Sequence, residues 1–248
     1  MNGFLVLLRK ELNGYFLSPV AYATSTFFLA VMGVIFHLLA SILAEGVPGV
    51  GVMNLLFNSP FYWMTMLVVI PLLTMRLFAE ERRMGTLEHL LTAPVTDRAV
   101  VAAKFGGVFI FYLLMWMPTL LFLLGLHLYS ADRVPLDPGA VAAGYLGVLL
   151  SGGFFLAWGL LCSLTTANQI IAAIICFAGM ILCFMAGFLD VISYHPVAVT
   201  FSELFAPHRN LAEFSRGIVD SRPVVAYVSG TVLLLFASTR MLEARQWK

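Results

Sequence analysis

Charge is what this sequence has least of. Only 11% of its 248 residues are Asp, Glu, Lys or Arg, while 61% are hydrophobic, and the mean hydropathy is +0.95. A water-surrounded domain carries about a quarter charged residues, so that class is excluded. Cysteine is also scarce. Cys162, Cys176 and Cys183 all fall inside apolar runs, an odd number without metal-ligand spacing, and read as small packing side chains. The histidines at 37, 89, 127, 195 and 208 are scattered, with no HExxH and no paired acid. No GxxxxGK[ST] occurs, so nothing can cradle a nucleotide phosphate. The string LLSGGFF around Ser151 has the letters of a nucleotide-contacting loop but stands mid-run among apolar residues. The apolar runs hold no carboxylate, Asp190 lying at the edge of one; an ion-coupled pump needs such groups within the membrane. Any driving force must come from outside the chain. A net charge of +1 says nothing about nucleic acid, and no basic patch exists apart from residues flanking apolar runs, so no nucleic-acid partner is expected.

What is present is hydrocarbon-length apolar sequence. Crossing roughly 30 Å of lipid takes about 20 residues, and six windows qualify: Val20–Leu43, Pro60–Leu77, Phe105–Tyr129, Ala140–Leu164, Gln169–Leu189 and Val224–Leu242, with Arg240 snorkelling from the end of the last. The fold class is therefore an all-α polytopic membrane protein with six transmembrane helices, organised as a single transmembrane domain over residues 1–248. Residues 1–19 are expected to form an amphipathic in-plane helix, 78–104 a cytoplasmic loop, and 190–223 a gate-like extracytoplasmic loop. Arg9, Lys10 and Glu11 interrupt the first apolar stretch, so it is not read as a cleavable signal. With the N-terminus inside, Lys and Arg divide 10 inside (Arg9, Lys10, Arg76, Arg82, Arg83, Arg98, Lys104, Arg240, Arg245, Lys248) to 4 outside (Arg133, Arg209, Arg216, Arg222). The positive-inside rule then puts both termini in the cytoplasm.

The connections have their own signals. In FLVLLRKELNGYFLSP, Phe4, Leu5, Leu8, Leu12, Tyr15 and Phe16 recur at helical spacing, and Ser18-Pro19 breaks the run. AEGVPGVGVMNLLFNSP reads as a turn with a short surface-lying segment, SADRVPLDPG as a tight polar linker, and TTANQ as a link so short that its flanking helices are antiparallel neighbours. In NLAEFSRGIVDSRP, Leu211, Phe214 and Ile218 share a helical face, Asn210 with Glu213 suggests an N-cap pair, and Arg222-Pro223 is expected to close the run. This segment reads equally as an outer gate or as a lid packed on the spans. Pro71 and Pro118 are expected to kink their helices. Ala143, Gly147 and Ser151, with Gly152 and Gly153, permit close helix approach.

The charge that exists is concentrated in RLFAEERRMGTLEHLLTAPVTDRAVVAAK, Arg76 to Lys104. Glu80, Glu81, Arg82 and Arg83 form a charged collar below the second span. GTLEHLL then places Leu87, Leu90 and Leu91 on one face with Glu88 turned away, Ala-Pro stops the run, and a helix starting at Thr96 or Asp97 leads back. Such a leucine-edged helix can seat in a groove on a soluble partner, or lie as a solvated loop on the headgroups; the residues alone leave both open.

PLLTMRLFAEERRMGTLEHLLTAPVTDRAVVAAK resembles the cytoplasmic loop of permeases of the ABC transporter type-2 family. An acidic pair, Gly-Thr-Leu-Glu, a Leu-Leu-x-x-Pro step and a later lysine stand here as Glu80, Glu81, Gly85, Thr86, Leu87, Glu88, Leu90, Leu91, Pro94 and Lys104. RKELNGYFLSPVAY is similar to that family's in-plane connecting helix, and FSRGIVDSRPVVAYVSGTVLLLFASTRMLEARQWK resembles its gliding-motility-associated subgroup. The resemblance implies a non-catalytic membrane subunit that pairs with a second permease, identical or homologous, above two ATPase subunits. ATP and Mg would sit on those partners, with no cofactor on this chain. It further implies that Gly85–Leu91 is a coupling helix seated on the ATPase, flanked by Glu80, Glu81, Arg82 and Arg83. The substrate route would lie at the permease dimer interface along spans one, two and five, where Phe27, Phe28, Phe36, Met64, Met66, Phe177, Met180 and Phe184 offer an aromatic and methionine-rich surface suited to a lipid-like or amphipathic cargo. ATP-driven export is the leading function. The alternative is a mechanotransmitting module that passes ATPase motion to an extracytoplasmic accessory partner and transports nothing.

Overall fold

The computed structural model describes residues 3–44, 51–86, 96–129, 137–187 and 206–244, and every ordered element among them is helical. In chain order these are α1 (Gly3–Phe16), α2 (Pro19–Ala44), α3 (Val52–Asn58), α4 (Pro60–Thr74), α5 (Ala79–Arg83), α6 (Asp97–Tyr129), α7 (Pro138–Thr165), α8 (Gln169–Ala186), α9 (Pro207–Phe214) and α10 (Ser221–Glu243). Five of them, α2, α6, α7, α8 and α10, are long and apolar enough to cross a membrane. The pair α3 and α4, bent by 55° at Ser59, makes a sixth if taken as one broken span. The protein is a multi-pass α-helical membrane protein. With no water at membrane depth, the hydroxyls within its spans return to carbonyls one turn back. Thr24, Thr65, Thr74, Ser151, Ser238 and Thr239 all bond the i−4 oxygen at 2.6–2.9 Å.

The bundle is built around α7. Its apolar window is 67% buried, against 28% for α2 and 17% for α8. The reason lies in its glycines, each of which admits a large neighbour. A Cβ at Gly152 would stand 2.5 Å from the Tyr112 ring, at Gly159 2.2 Å from Thr74 Oγ1, at Gly147 2.9 Å from both Leu211 and Phe214, and at Gly144 2.8 Å from Phe57. The SGG letters at 151–153 therefore serve packing. Tyr112 reaches across the gap to donate to the Val148 carbonyl at 3.4 Å. Beside them Phe28, Phe57, Tyr62, Tyr145 and Trp116 form one aromatic group, with edge-on pairs such as Phe28–Trp116 at 5.0 Å.

Several expectations are revised. The second span does not run to Leu77: α4 stops at Thr74, where the Met75 N–H still bonds the Pro71 carbonyl at 2.9 Å but the Leu77 N–H turns back to the Thr74 carbonyl at 3.1 Å, a tighter turn that ends the ladder. The segment before it does not lie on a surface, because Val52, Met53, Leu56 and Phe57 of α3 are buried against α7 and α9. Asn210 is not an N-cap. α9 starts at Pro207, a proline suited to a first helical turn, and Asn210 sits inside the helix with its amide donating to the Tyr227 hydroxyl at 3.3 Å. Leu211 and Phe214 face the core while Ile218, beyond the left-handed Gly217, is exposed. Arg222-Pro223 opens α10 instead of closing a loop, with Asp220 capping it by accepting from the Arg222 N–H at 3.0 Å. By contrast, the short link after α7 does make α7 and α8 neighbours, Asn168 capping α8 by accepting from the Ile170 N–H at 2.9 Å. The polar linker over 130–136 and residues 190–205 of the 190–223 loop lie outside the described residues.

This packing makes a sharp contrast between two glycines. Gly152→Ala is expected to destabilise the protein by about 1–3 kcal/mol, the usual cost of overpacking. Gly33→Ala, where an added Cβ meets nothing within 4 Å, is expected to be neutral or to stabilise by up to about 1 kcal/mol through helix propensity. Thermal unfolding of the detergent-solubilised protein distinguishes them.

Candidate functional site

Lys104 lies about two turns into α6, among Val100, Val101, Ala103 and Phe105, and is itself almost entirely buried. A buried ammonium needs opposite charge and hydrogen bonds to offset its lost hydration. Two carboxylates from distant segments supply them: Glu11 Oε1 of α1 at 2.9 Å and Glu81 Oε1 of α5 at 3.0 Å. Lys10 adds a second, exposed contact to Glu81 at 3.5 Å, and the Lys104 ammonium stands 5.0 Å from the centre of the Phe78 ring. The approach of α1 to α6 is made possible by Gly106 and Gly107. A Cβ at Gly107 would lie 2.9 Å from Glu11 Cβ, and one at Gly106 would lie 3.2 Å from Leu8 Cδ1. Tyr15 completes the seam by stacking on Phe111 at 5.1 Å and donating its hydroxyl to the Leu73 carbonyl, an oxygen in the last turn of α4, at 2.8 Å. Burial, and secondarily Glu11, push the Tyr15 phenol well above its ordinary pKa, so it remains a neutral donor.

The collar is tied to the spans as well. Between α4 and α5 the backbone breaks over residues 75–78, and Ser163 of α7 satisfies the break. Its Oγ accepts from the Phe78 and Ala79 N–H groups at 3.0 and 3.1 Å and donates to the Met75 carbonyl at 3.2 Å. Arg82 donates to the Leu164 carbonyl at 3.3 Å, and Arg76 reaches Ser18 Oγ at 3.3 Å. Four parts of the chain thus converge on the collar: α1, the start of α2, α6 and the end of α7. α5 ends at Arg83, and Gly85, two residues on, takes the left-handed conformation (φ +70°) that stops a helix. Thr86 follows; Leu87, Glu88, Leu90, Leu91 and Pro94 lie outside the described residues.

The eight aromatic and methionine side chains divide by location. Phe28, Phe36, Met66 and Met180 are buried inside the chain. Phe184 packs on Trp63 at 5.6 Å. Phe27, Met64 and Phe177 stand on outward faces. Among the described residues no group of three or more His, Cys, Asp or Glu could hold a metal ion, and the three cysteines form no disulfide. The sequence reading named Glu80, Glu81, Arg82, Arg83 and Lys104 but missed Glu11, Tyr15, Gly106, Gly107 and Ser163. A lysine in an apolar helical run followed by two glycines was the available signal, since the first demands a counter-charge and the second permits a close neighbour.

Removing one partner of a buried ionic group leaves the others uncompensated, typically costing about 3–5 kcal/mol. Lys104→Met is therefore expected to lower the unfolding temperature markedly, and the added change Glu11→Gln to restore part of the loss. A double-mutant cycle by thermal unfolding checks both.

The model of the family described as ABC-2 family transporter protein matches residues 46–205, more than half of the chain. A comparison with curated proteins gives no match. The matched stretch includes the collar, Lys104 and the central helix α7, the parts on which the site is built. The chain belongs to the ABC-2 family, and is a multi-pass membrane permease subunit of an ABC transporter.

Proposed function

We propose that this chain couples ATP hydrolysis in a separate ATPase subunit to export of a substrate across the cytoplasmic membrane, with both termini in the cytoplasm. The observation that carries the proposal is the collar. Its charged residues bind it to α1, α6 and the end of α7, and its open end leads directly into the GTLEHLL segment that resembles a coupling helix. A push delivered at that segment by an ATPase closing on ATP would move several helices together instead of bending one loop. Two discrete packings, biased by the state of the ATPase, are what such switching requires.

The ATPase pair holds ATP and Mg, and two permeases pair through the helices least buried in a single chain. α8, α10 and α2 are the least buried of the five unbroken spans; of these, α2 and α8 carry Phe27 and Phe177 on their outer faces, and Met64 of α4 is exposed as well. A route between two such faces is apolar and suits a lipid-like or amphipathic cargo. The second reading is mechanotransmission to an extracytoplasmic partner. It is favoured by the tail from Phe214 to Lys248, which resembles the gliding-motility-associated subgroup.

Leu90→Asp is expected to uncouple the ATPase while the spans remain folded, whereas charge reversal at Glu81 together with Glu88 also sets a cation against the buried Lys104 and is expected to destabilise the collar. The measurements are ATPase copurification and helical content. Undiminished copurification with Leu90→Asp would count against the groove assignment. Reconstitution in liposomes separates the two readings: ATP-dependent movement of cargo supports export, and ATPase activity responding only to an outer partner supports mechanotransmission.

A further inference from the structure

Where α1 runs into α2 at Ser18-Pro19, the chain leaves a cleft of about 530 Å³ between the in-chain face of α1 and the collar. This is within the size range of small-ligand sites. Glu11 and Lys104 at its base bond each other. Glu81 Oε1 also holds Lys104 at 3.0 Å, and the other charges on the wall make only long, partly exposed pairs, Lys10 with Glu81 at 3.5 Å and Arg76 with Glu80 at 4.0 Å, which a ligand carrying both signs of charge can replace. Two buried polar atoms on its wall have no hydrogen-bond partner, Glu81 Oε2 and Arg76 Nε. The second has only Glu80 at 4.0 Å, beyond hydrogen-bond length. An unpartnered buried acceptor and an unpartnered buried donor are both costly. A single ligand bearing a cationic donor and an anionic acceptor satisfies the pair.

The surroundings say where such a ligand comes from. On the same helices, Leu5, Phe16, Leu17 and Tyr22 present large exposed apolar surface, and Leu17 is 82% exposed. Surface of that kind at the foot of a membrane span belongs in lipid. The cleft therefore opens where hydrocarbon gives way to headgroups. We propose that it binds the phosphoethanolamine headgroup of an aminophospholipid, with the ammonium turned to Glu81 and Glu80 and the phosphate to Arg76 and Lys10. A glycerol headgroup on the same phosphate brings no cation to Glu81 and adds net negative charge beside two carboxylates. A choline headgroup has the cation but no N–H to donate. The cleft thus discriminates by hydrogen-bonding chemistry as well as by charge.

The test uses the full chain purified in detergent, with native mass spectrometry against an equimolar mixture of phosphatidylethanolamine, phosphatidylglycerol and phosphatidylcholine of matched acyl chains. The ethanolamine lipid is expected to be retained roughly tenfold over the other two, the worth of one charge-assisted hydrogen bond. Gly14→Leu is the informative variant. A Cβ at Gly14 meets nothing within 4 Å, so the leucine fills the cleft without disturbing the protein or removing a charge, and the preference is expected to vanish. Arg76→Gln and Glu80→Gln should weaken it several-fold, while Arg222→Gln, at the start of α10, leaves it unchanged. Soluble glycerophosphoethanolamine should displace the lipid, and inorganic phosphate should not. Equal retention of the three lipids, undiminished preference in Gly14→Leu, or displacement by phosphate alone would each overturn the proposal. Because binding is read on the permease without an ATPase, the outcome is independent of the coupling role proposed above.

Discussion

The burial of the Lys104 ammonium is the constraint on which one whole end of the molecule depends. A chain with so little charge places one lysine almost wholly out of water. Desolvation alone would make that untenable, and the two carboxylates that compensate it come from segments far away in sequence, Glu11 being 93 positions distant. To meet them, α1 must lie against α6, which the glycines at 106 and 107 allow, and α5 must fold back below the second span. Tyr15, Arg76 and Ser163 then find partners because the ion pair has already brought their helices together.

The other end and the middle follow a different rule. The spans α2, α4, α7 and α8 hold no Asp, Glu, Lys or Arg, so there shape decides. Glycines along α7 let Phe57, Tyr112, Thr74, Leu211 and Phe214 approach its backbone, and the helix becomes the hub of the bundle. The helices pushed to the periphery, α2 and α8, keep apolar faces that a single chain does not cover. In a membrane such faces meet lipid or another protein equally well, since lipid tails are as apolar as leucine, and contact between helices there depends on fit. A rigid charged base joined to a bundle of close-fitting helices is a sound architecture for passing motion from one side of a membrane to the other.

Much of this was legible before any coordinates. The span windows match α2, α6, α7, α8 and α10 closely because length and hydropathy are properties of single segments. The return helix starting at Asp97 and the in-chain break at Ser18-Pro19 were visible for the same local reason. Boundaries failed where a local signal competed with packing. Asn210 has the chemistry of a cap, yet it is drawn inside α9 because Pro207 can start the helix earlier and the Tyr227 hydroxyl offers its amide a partner. The segment before α4 has the glycines and prolines of a surface turn, but Leu56 and Phe57 are worth more buried, and the chain bends by 55° to place them there.

By itself, then, the amino-acid order settled that this is a helical membrane protein, where its chain crosses, and which short stretch carries its charge, because each of these depends on residues adjacent in sequence. Only the tertiary structure decided which charges meet, which glycines admit which rings, and that a serine on α7 holds the collar's broken backbone. Those pairings join residues tens of positions apart, and nothing in the order of one segment records which surface of another will lie against it.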